Sequence, residues 1–437
     1  MRRARRVASA LMLLLAVIVG VELSSWLLLW SLGTEELERR MTEASLELGH
    51  QIPVSMPGSK LLQGEVLHPY LGYVYKPVAR SDGDALSLEA LGFPNGGPFV
   101  RTRDPGTLVV GVFGGSLAAG FAAAGGTERL VEQLRDLPEF VGRRLVAVST
   151  ALAGYKQPQC LFALSYLIAL GMHFDWVILI DGFNDVVLPV VEDPKQTTFP
   201  FFPRRWALRV ASLDTATDVR ALIGEIAYRQ EQRRSMAQRF TDSALRRSRF
   251  ASLVWLILDR RAEAAIAQRR QALLELRPQS LEYLASGPSW SAPGGGLYAD
   301  LVRFWKSASV QMNAICAANG IRFTHFLQPN QYVPNSKPIG SAERAIAVRE
   351  DHPMRVPVEA AYPLLRDAGV DLRTAGVAFH DLTMVFKDAD EALYVDDCCH
   401  INQKGNELLA DAMAARVRED LGVASAATGA ADSAAPR

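Results

Sequence analysis

The stretch LVVGVFGGSLAAG, residues 108–120, joins a short apolar run to two glycines and a serine. Short runs rich in Val, Ile and Phe that end at turn residues are typical of buried strands. Four further runs of this kind follow along the chain. The five predicted strands are Leu108–Phe113, Leu145–Ser149, Trp176–Ile180, Ile321–Leu327 and Val377–Leu382.

Helix-like segments separate most of the predicted strands, and one more follows the last of them. The predicted helices are Glu128–Leu134, Gln157–Leu170, Leu301–Ala318, Glu359–Asp367 and about Asn402–Val417. This alternation of strand and helix favours a parallel sheet with helices on both faces. We therefore expect an α/β fold built on a doubly wound, five-stranded parallel sheet.

The composition excludes several classes of protein. The chain has 437 residues, of which 49% are hydrophobic and 22% charged, and this is too apolar for a disordered protein. Lys+Arg and Asp+Glu both number 47, and a zero net charge gives no support to a nucleic-acid partner. The four cysteines form no CxxC pair and no HExxH run exists, so we expect no metal.

The N-terminus is basic and then apolar. Four arginines within the first six residues precede an apolar run from Val7 to about Leu32, in which Glu22 is the one ionisable residue. A membrane-spanning helix needs about 20 apolar residues, whereas a cleaved signal peptide has roughly 7–15. We interpret residues 1–33 as an uncleaved anchor in the inner membrane, with the N-terminus cytoplasmic and the remainder periplasmic. A removed signal peptide is the alternative, and it leaves the remainder in the same compartment.

The rest of the chain divides into a stalk, a main domain and a tail. Residues 34–67 are predicted to be the stalk, residues 68–420 the main domain, and residues 421–437 a disordered tail. Between the third and fourth predicted strands lies an Arg-rich insertion, about 190–297, with the apolar stretch Leu253–Leu258. Two interpretations stay open for it: a helical subdomain whose apolar face packs inward, or a surface that covers the active site or faces a membrane.

Residues that could take part in catalysis follow the first three predicted strands. Ligands of parallel α/β sheets lie beyond the carboxyl ends of the strands. Ser116 follows two glycines, which let the backbone turn sharply into a helix N-terminus, although a plain capping serine would look the same. Gly154 follows the second strand and can present its backbone amide. Asn184 follows the third strand and can donate to a developing oxyanion, although asparagine is also common in turns.

A serine nucleophile needs a base, usually a histidine that a third group orients. The run Asp396-Asp397-Cys398-Cys399-His400 directly precedes the final predicted helix. Asp397 lies three residues before His400, so one loop can hold both, and we expect His400 to be the base and Asp397 its orienting acid. His380, beside Asp381 at a strand end, is the rival base, and His325 is interpreted as a core histidine.

These residues, in this order, resemble the SGNH hydrolase superfamily, also called GDSL esterases and lipases. The matching blocks are Gly-Gly-Ser116, Gly154, Gly182-x-Asn184-Asp185 and Asp397-x-x-His400, and they cover about residues 105–420 apart from the insertion. The resemblance implies a flavodoxin-like sheet with the triad Ser116, His400 and Asp397. It also implies an oxyanion hole of the Ser116 amide, the Gly154 amide and the Asn184 side chain. Gly115 stands where the family has Asp, so the chain is interpreted as a divergent member.

The expected function is that of a serine esterase that works through an acyl-serine intermediate. Its expected substrates are acyl esters, above all O-acetyl groups of envelope or secreted glycans. No cofactor is expected, and the expected partners are a carbohydrate-linked ester and the membrane, through residues 7–32. Two alternatives stay open: an O-acyltransferase with the same triad, and a non-catalytic protein of an envelope assembly.

The cysteines allow three arrangements, because disulfides persist outside the cytoplasm. A bond from Cys160 to Cys398 or Cys399 would tie the loop of the base to the oxyanion loop. A bond between the adjacent Cys398 and Cys399 would need a strained turn. Alternatively, Cys160 and Cys316 are buried thiols that pack as small apolar groups.

Overall fold

The computed structural model describes residues 2–32, 34–46, 65–76, 86–210, 217–275, 285–290 and 296–422. The chain forms two compact units. The sheet unit consists of Val66–Trp206 and Gly287–Arg437, and the helical unit of Met1–Glu65 and Ala207–Ser286. Most of the predicted stalk and nearly all of the predicted tail lie outside the described residues. The predicted insertion is shared between the units, because its first and last residues belong to the sheet unit.

The sheet unit is built on five parallel strands. A two-stranded sheet precedes them, made of β1 (Glu65–His68) and β2 (Gly72–Tyr75). The main strands are β3 (Thr107–Gly114), β4 (Arg144–Ser149), β5 (Trp176–Asp181), β6 (Arg322–Leu327) and β7 (Ala378–Asp381). The five strands predicted from the sequence are confirmed, each with bounds within one residue.

The strands lie in the order β4-β3-β5-β6-β7, which is the 2-1-3-4-5 order of flavodoxin-like sheets. The register pairs Gly114 with Ile180 and Asp181 with Leu327, so the strands end at one edge. The chain leaves β3 toward β4 on one side and returns to β5 on the other. The loops after β3 and β5 therefore run to opposite faces of the sheet and leave a crevice between them. Parallel sheets of this kind bind ligands in that crevice.

Helices cover both faces of the sheet, and alternate residues of each strand supply two separate cores. Val109 and Phe113 of β3 face one core, whereas Val110 and Val112 face the other. The helices of this unit are Ser116–Ala123, Gly126–Glu132, Gln159–Ala169, Phe183–Val191, Gly296–Ala318, Ser341–Ala347, Arg355–Thr374 and Gln403–Asp420. Because β3 is buried along its whole length, its sequence is a continuous apolar run rather than an alternating one.

The helical unit contains the helices Arg2–Leu32, Thr34–Leu46, Thr217–Thr241 and Arg249–Glu275. A 3-10 turn, Ala244–Arg247, joins the last two, and a short helix, Trp206–Val210, begins at the boundary between the units. The core residues are Leu29, Leu37, Met41, Ala44, Ala237, Phe240, Trp255 and Leu256. Among the described residues, no helix combines the length and the apolar character that crossing a membrane requires.

Charged groups also hold the helical unit together. Asp259 is buried and accepts hydrogen bonds from Arg233 Nε at 2.6 Å and from Arg40 Nη1 at 3.0 Å. Glu22 accepts a 2.6 Å bond from the amide of Arg249 and another from the Ser248 hydroxyl. A carboxylate thus caps the N-terminus of the helix Arg249–Glu275, where the amides and the helix dipole favour negative charge.

Candidate active site

Two glycines bring Ser116 to the end of β3. Gly114 has φ +143°, and a Cβ there would lie 2.1 Å from the carbonyl oxygen of Ile180, so only glycine fits. Ser116 is the first residue of the helix Ser116–Ala123, whose N-cap position is Gly115. Because the cap position belongs to the preceding residue, the interpretation of Ser116 as a plain helix cap does not hold. The Ser116 hydroxyl lies 2.7 Å from Nε2 of His400.

The loop before the final helix places His400 against Ser116. While Nε2 contacts the serine hydroxyl, Nδ1 contacts the carboxylate of Asp396 in a short hydrogen bond. The other carboxylate oxygen of Asp396 accepts the amides of Cys398, Cys399 and His400 at 3.0, 3.1 and 3.2 Å. The backbone therefore turns around one carboxylate. This turn holds the imidazole ring between Asp396 and Ser116.

The carboxylate that contacts His400 is that of Asp396, which corrects the sequence-based choice of Asp397 as its orienting acid. The Asp397 carboxylate points to the other side of the loop, 3.5 Å from Nη1 of Arg349 and 3.6 Å from Nε2 of His352. The choice of Asp397 assumed that the carboxylate three residues before His400 would face the ring. In the structure three loop amides bind the carboxylate of Asp396, four residues before His400, and this places Asp396 against the ring.

The carboxylate of Asp396 and the ring of His400 each stabilise the charged form of the other. Burial lowers the pKa of His400, but the hydrogen bond and charge of Asp396 outweigh this and raise it to about 9. Burial raises the pKa of Asp396, but bonds from His400 and from the loop amides bring it below the ordinary value. Asp396 therefore stays ionised at neutral pH, and it stabilises the protonated ring of His400 and keeps a proton on Nδ1.

Asn184 lies beside the turn that carries the serine. Its Nδ2 donates a 2.8 Å hydrogen bond to the carbonyl oxygen of Tyr155, which leaves its second N–H available. A Cβ at Gly115 would lie 2.2 Å from this Nδ2. A side chain at position 115 would therefore displace the amide of Asn184.

Gly154 occupies a tight turn after β4, with φ +77°. A Cβ at this position would lie 2.3 Å from Cδ of Arg204 and 3.1 Å from the hydroxyl of Tyr73. Arg204 lies just before the boundary of the sheet unit and donates from Nε to Glu192 at 2.6 Å. Sequence reasoning missed this arginine, since nothing in the Arg-rich insertion marks one arginine as the neighbour of the oxyanion loop.

A buried polar network supports the loops from below. Asp181, at the end of β5, accepts 2.7 Å hydrogen bonds from Nε1 of Trp305 and from Nε2 of His325, and a 3.1 Å bond from Gln157. Asp185 accepts the amide of Gln157 at 2.7 Å and that of Gly182 at 3.2 Å. Burial and the neighbouring Asp181 raise the pKa of Asp185. These bonds tie the loop after β4 to the loop after β5, which carries Asn184.

The other candidate histidines have different partners. His325 is fully buried in β6 and its Nδ1 lies 2.8 Å from the Ser309 hydroxyl, as a core histidine with satisfied nitrogens would. His380 contacts Asp420 of the last helix at 2.8 Å through Nε2. The rival base is therefore occupied elsewhere, and the structure brings Ser116 together with His400 alone of these three.

A groove of about 350 Å³ opens beside Ser116. Most of its walls are small side chains from the helix after β3 and from the loop after β4. Its lining residues are Tyr75, Pro94, Asn95, Ser116, Ala119, Gly120, Ala122, Ala123, Ser149, Ala151, Leu152 and Ala153. The volume is within the range of about 300–1,000 Å³ that small-molecule sites have.

All four cysteines are free thiols, so neither of the two bridges that the sequence left open is formed. Cys160 is buried in the helix Gln159–Ala169, whereas Cys398 and Cys399 face each other with 3.3 Å between their Sγ atoms. Burial raises the pKa of Cys160 well above its usual range. The alternative of buried thiols at Cys160 and Cys316 is confirmed.

Comparison with known proteins adds no assignment. No protein-family model matches the sequence, and neither does any curated protein. Any functional conclusion for this chain therefore depends on the geometry described above.

Proposed function

We propose that this protein is a serine esterase of the SGNH hydrolase type that acts on acyl esters. The observation that carries the proposal is the chain of contacts from Asp396 to Nδ1 of His400 and from its Nε2 to the Ser116 hydroxyl, at 2.7 Å. Serine, histidine and aspartate in this relation form the triad of nucleophilic acyl transfer. The position of the triad, at the diverging ends of β3 and β5, supports the same conclusion.

The reaction begins when Nε2 of His400 takes the proton of the Ser116 hydroxyl and Oγ attacks the ester carbonyl. The tetrahedral intermediate collapses as His400 returns this proton to the leaving alcohol. Water then gives a proton to the same Nε2 and attacks the acyl-serine, and the second collapse releases the acid and the serine hydroxyl. Asp396 keeps its negative charge throughout and stabilises the imidazolium that forms twice in the cycle.

The oxyanion would be held by the amides of Ser116 and Gly154 and by Nδ2 of Asn184. The Asn184 amide is held by its hydrogen bond to the Tyr155 carbonyl before substrate arrives. Donors that need no rearrangement are the effective ones, and the loss of one typically costs about 10²–10³ in rate.

The groove favours a substrate of limited size on the side of the helix Ser116–Ala123. Its alanines and glycine give a shallow apolar floor, and Tyr75 and Asn95 add an aromatic ring and an amide of the kind that bind sugars. We propose an O-acylated glycan as substrate. An acceptor alcohol that enters the groove in place of water would make the same triad an O-acyltransferase, so both acceptors belong in the assay.

We also propose that the N-terminal helix attaches the protein to the inner membrane, with the sheet unit on the periplasmic side. The helix exposes large apolar side chains along much of its length, including Met12, Leu15 and Trp30, which are 67%, 61% and 68% accessible. In the same unit, Phe250 and Val254 of the helix Arg249–Glu275 are also exposed. Large exposed apolar surfaces mark membrane or partner contacts. Alkaline extraction of membranes should leave the protein in the pellet, and full release would contradict the attachment.

The decisive test of the catalytic proposal is labelling with a fluorophosphonate probe. The wild-type protein should be labelled at Ser116 and should hydrolyse an acetyl ester, whereas Ser116→Ala should do neither. Ser149→Ala is the matched control, because Ser149 lines the same groove without contact to His400. Label on a different residue, or equal turnover by Ser116→Ala, would refute the proposal. A panel of acylated glycans with and without a free glycan acceptor then separates hydrolysis from transfer.

A further inference from the structure

The loop that carries the base also carries two thiols that no step of the reaction uses. Sγ of Cys398 lies 3.3 Å from Sγ of Cys399. Both sulfur atoms and one ring nitrogen of His400 lie within 4.8 Å of one another. Among the residues that the structure describes, this is the one group of three such ligands close enough to share an ion.

The turn around Asp396 explains why neighbouring side chains converge. One oxygen of this carboxylate accepts the amides of Cys398, Cys399 and His400. Three successive N–H groups that point at one atom force the backbone into a tight arc. The arc leaves Cys398 half-buried and Cys399 buried, with their sulfur atoms in contact.

We propose that Cys398, Cys399 and His400 form an inhibitory site for a thiophilic divalent cation such as Zn²⁺. Two thiolates and an imidazole are a common zinc ligand set, and a water can complete the tetrahedron. Zn–S bonds of about 2.3 Å and Zn–N bonds of about 2.0–2.1 Å place such ligands about 3.5–3.8 Å apart. The three ligand atoms therefore need to move by about 1 Å or less. Binding converts two thiols to thiolates and needs a deprotonated ring nitrogen of His400, so it releases two protons to solvent, and a third where the ring starts as the imidazolium.

Inhibition follows from how His400 is used, and this part of the inference rests on the proposed function. Nδ1 contacts Asp396 and Nε2 contacts Ser116, so both ring nitrogens already belong to the triad. An ion that takes Nε2 removes the base from the serine, and an ion that takes Nδ1 removes the acid from the base. Either way the bound metal disables the triad. Loss of the metal restores it.

Binding can be tested without any assay of activity. The full-length protein, kept reduced with a phosphine and freed of metal, is titrated with Cd²⁺ while thiolate-to-metal charge-transfer absorption is recorded. We expect saturation at one ion per chain and displacement by Zn²⁺. Loss of a residue that only contacts a metal ligand typically weakens metal binding by about 10–100-fold. Cys398→Ser removes a ligand itself and should weaken binding by more than this. Cys399→Ser should do the same, and circular dichroism checks that each variant is folded.

Cys316→Ala is the control variant, because Cys316 is buried in the helix Gly296–Ala318 and belongs to no ligand group among the described residues. It should bind the ion as the wild type does. Absence of the absorption band in the wild type, or an unchanged band in folded Cys398→Ser, would overturn the site. Because Cys398 is only half-buried, its serine variant should fold and the test stays decisive.

The inhibition is measured as a ratio of acetyl-ester turnover rates. For each variant, the rate with Zn²⁺ is divided by the rate of the same variant without metal. The wild type should lose turnover and recover it when a chelator is added, whereas Cys398→Ser should keep its ratio near one. Stoichiometric binding with undiminished turnover would refute the inhibitory role. If the wild type binds Cd²⁺ but turns over no ester, the metal site stands and the proposed esterase function fails.

Discussion

Asparagine at position 396 should abolish most of the activity, whereas asparagine at position 397 should not. The two residues are adjacent, carry the same charge and receive the same substitution. Only Asp396 contacts Nδ1 of His400, while Asp397 lies 3.5 Å from Arg349 and 3.6 Å from His352. The pair of variants therefore tests which carboxylate belongs to the triad, with one serving as the control for the other.

The size of the effect follows from hydrogen-bond directions. In Asp396→Asn, the new side-chain oxygen would keep the amides of Cys398, Cys399 and His400, which leaves the NH₂ group facing Nδ1 of His400. A donor at that place forces Nδ1 to accept and Nε2 to carry the proton, so the ring cannot take the Ser116 proton. This wrong tautomer costs about 10⁴ in kcat, or about 5 kcal/mol in the barrier. At position 397 the lost ion pairs are long and partly exposed, so turnover should change by less than about fivefold.

The pH profile supplies an independent readout. In the wild type, turnover should rise with pH until His400 is deprotonated, near pH 9, because only the neutral ring is a base. Without the carboxylate, the largest causes that raise the pKa of His400 are lost while burial still lowers it, so the rise should move to lower pH. Turnover of an acetyl ester from pH 5 to 10 measures both quantities. Equal losses in the two variants, or an unshifted profile for the Asp396 variant, would refute the assignment.

Three further predictions concern other parts of the molecule. Asn184→Ala should lower kcat by about 10²–10³ with little change in KM, as steady-state kinetics would show. Gly115→Ala should lower kcat as well, because its Cβ would displace the Asn184 amide, whereas Gly224→Ala, which meets no atom within 4 Å, should leave turnover unchanged. Asp259→Ala should destabilise the helical unit by about 3–5 kcal/mol in denaturant unfolding, because it removes the carboxylate that binds the buried guanidinium of Arg233.

The sheet was predictable from the sequence because its central strands, β3 and β5, are buried on both faces. A fully buried strand such as β5 has an uninterrupted apolar sequence that ends where the chain turns, and these ends are visible without a structure. Ser116 was found for the same reason, since it lies directly after β3, whereas His400 was found because its run of residues directly precedes the final helix.

The acid and the cysteines were not predictable, because loop geometry decides them. Asp396 and Asp397 have the same chemistry, and only the three amides of the turn show which carboxylate faces the ring. The division of the insertion was equally hidden. The stretch Leu253–Leu258 packs Trp255 and Leu256 inward, as the interpretation of a helical subdomain expects, and exposes Val254 and Ile257. That the exposed side covers the active site or faces a membrane stays a prediction.

The helical unit is assembled from two segments that the ribosome makes at different times. Its N-terminal helices are complete before residue 66, but the helices that bury Leu29 and Leu37 begin only after residue 206. At about 5–20 residues per second, the 141 residues from 66 to 206 take about 7–28 s to synthesise. During that interval the apolar faces of the first helices have no partner from their own unit. We expect a chaperone or a lipid surface to cover these faces until the later helices are made.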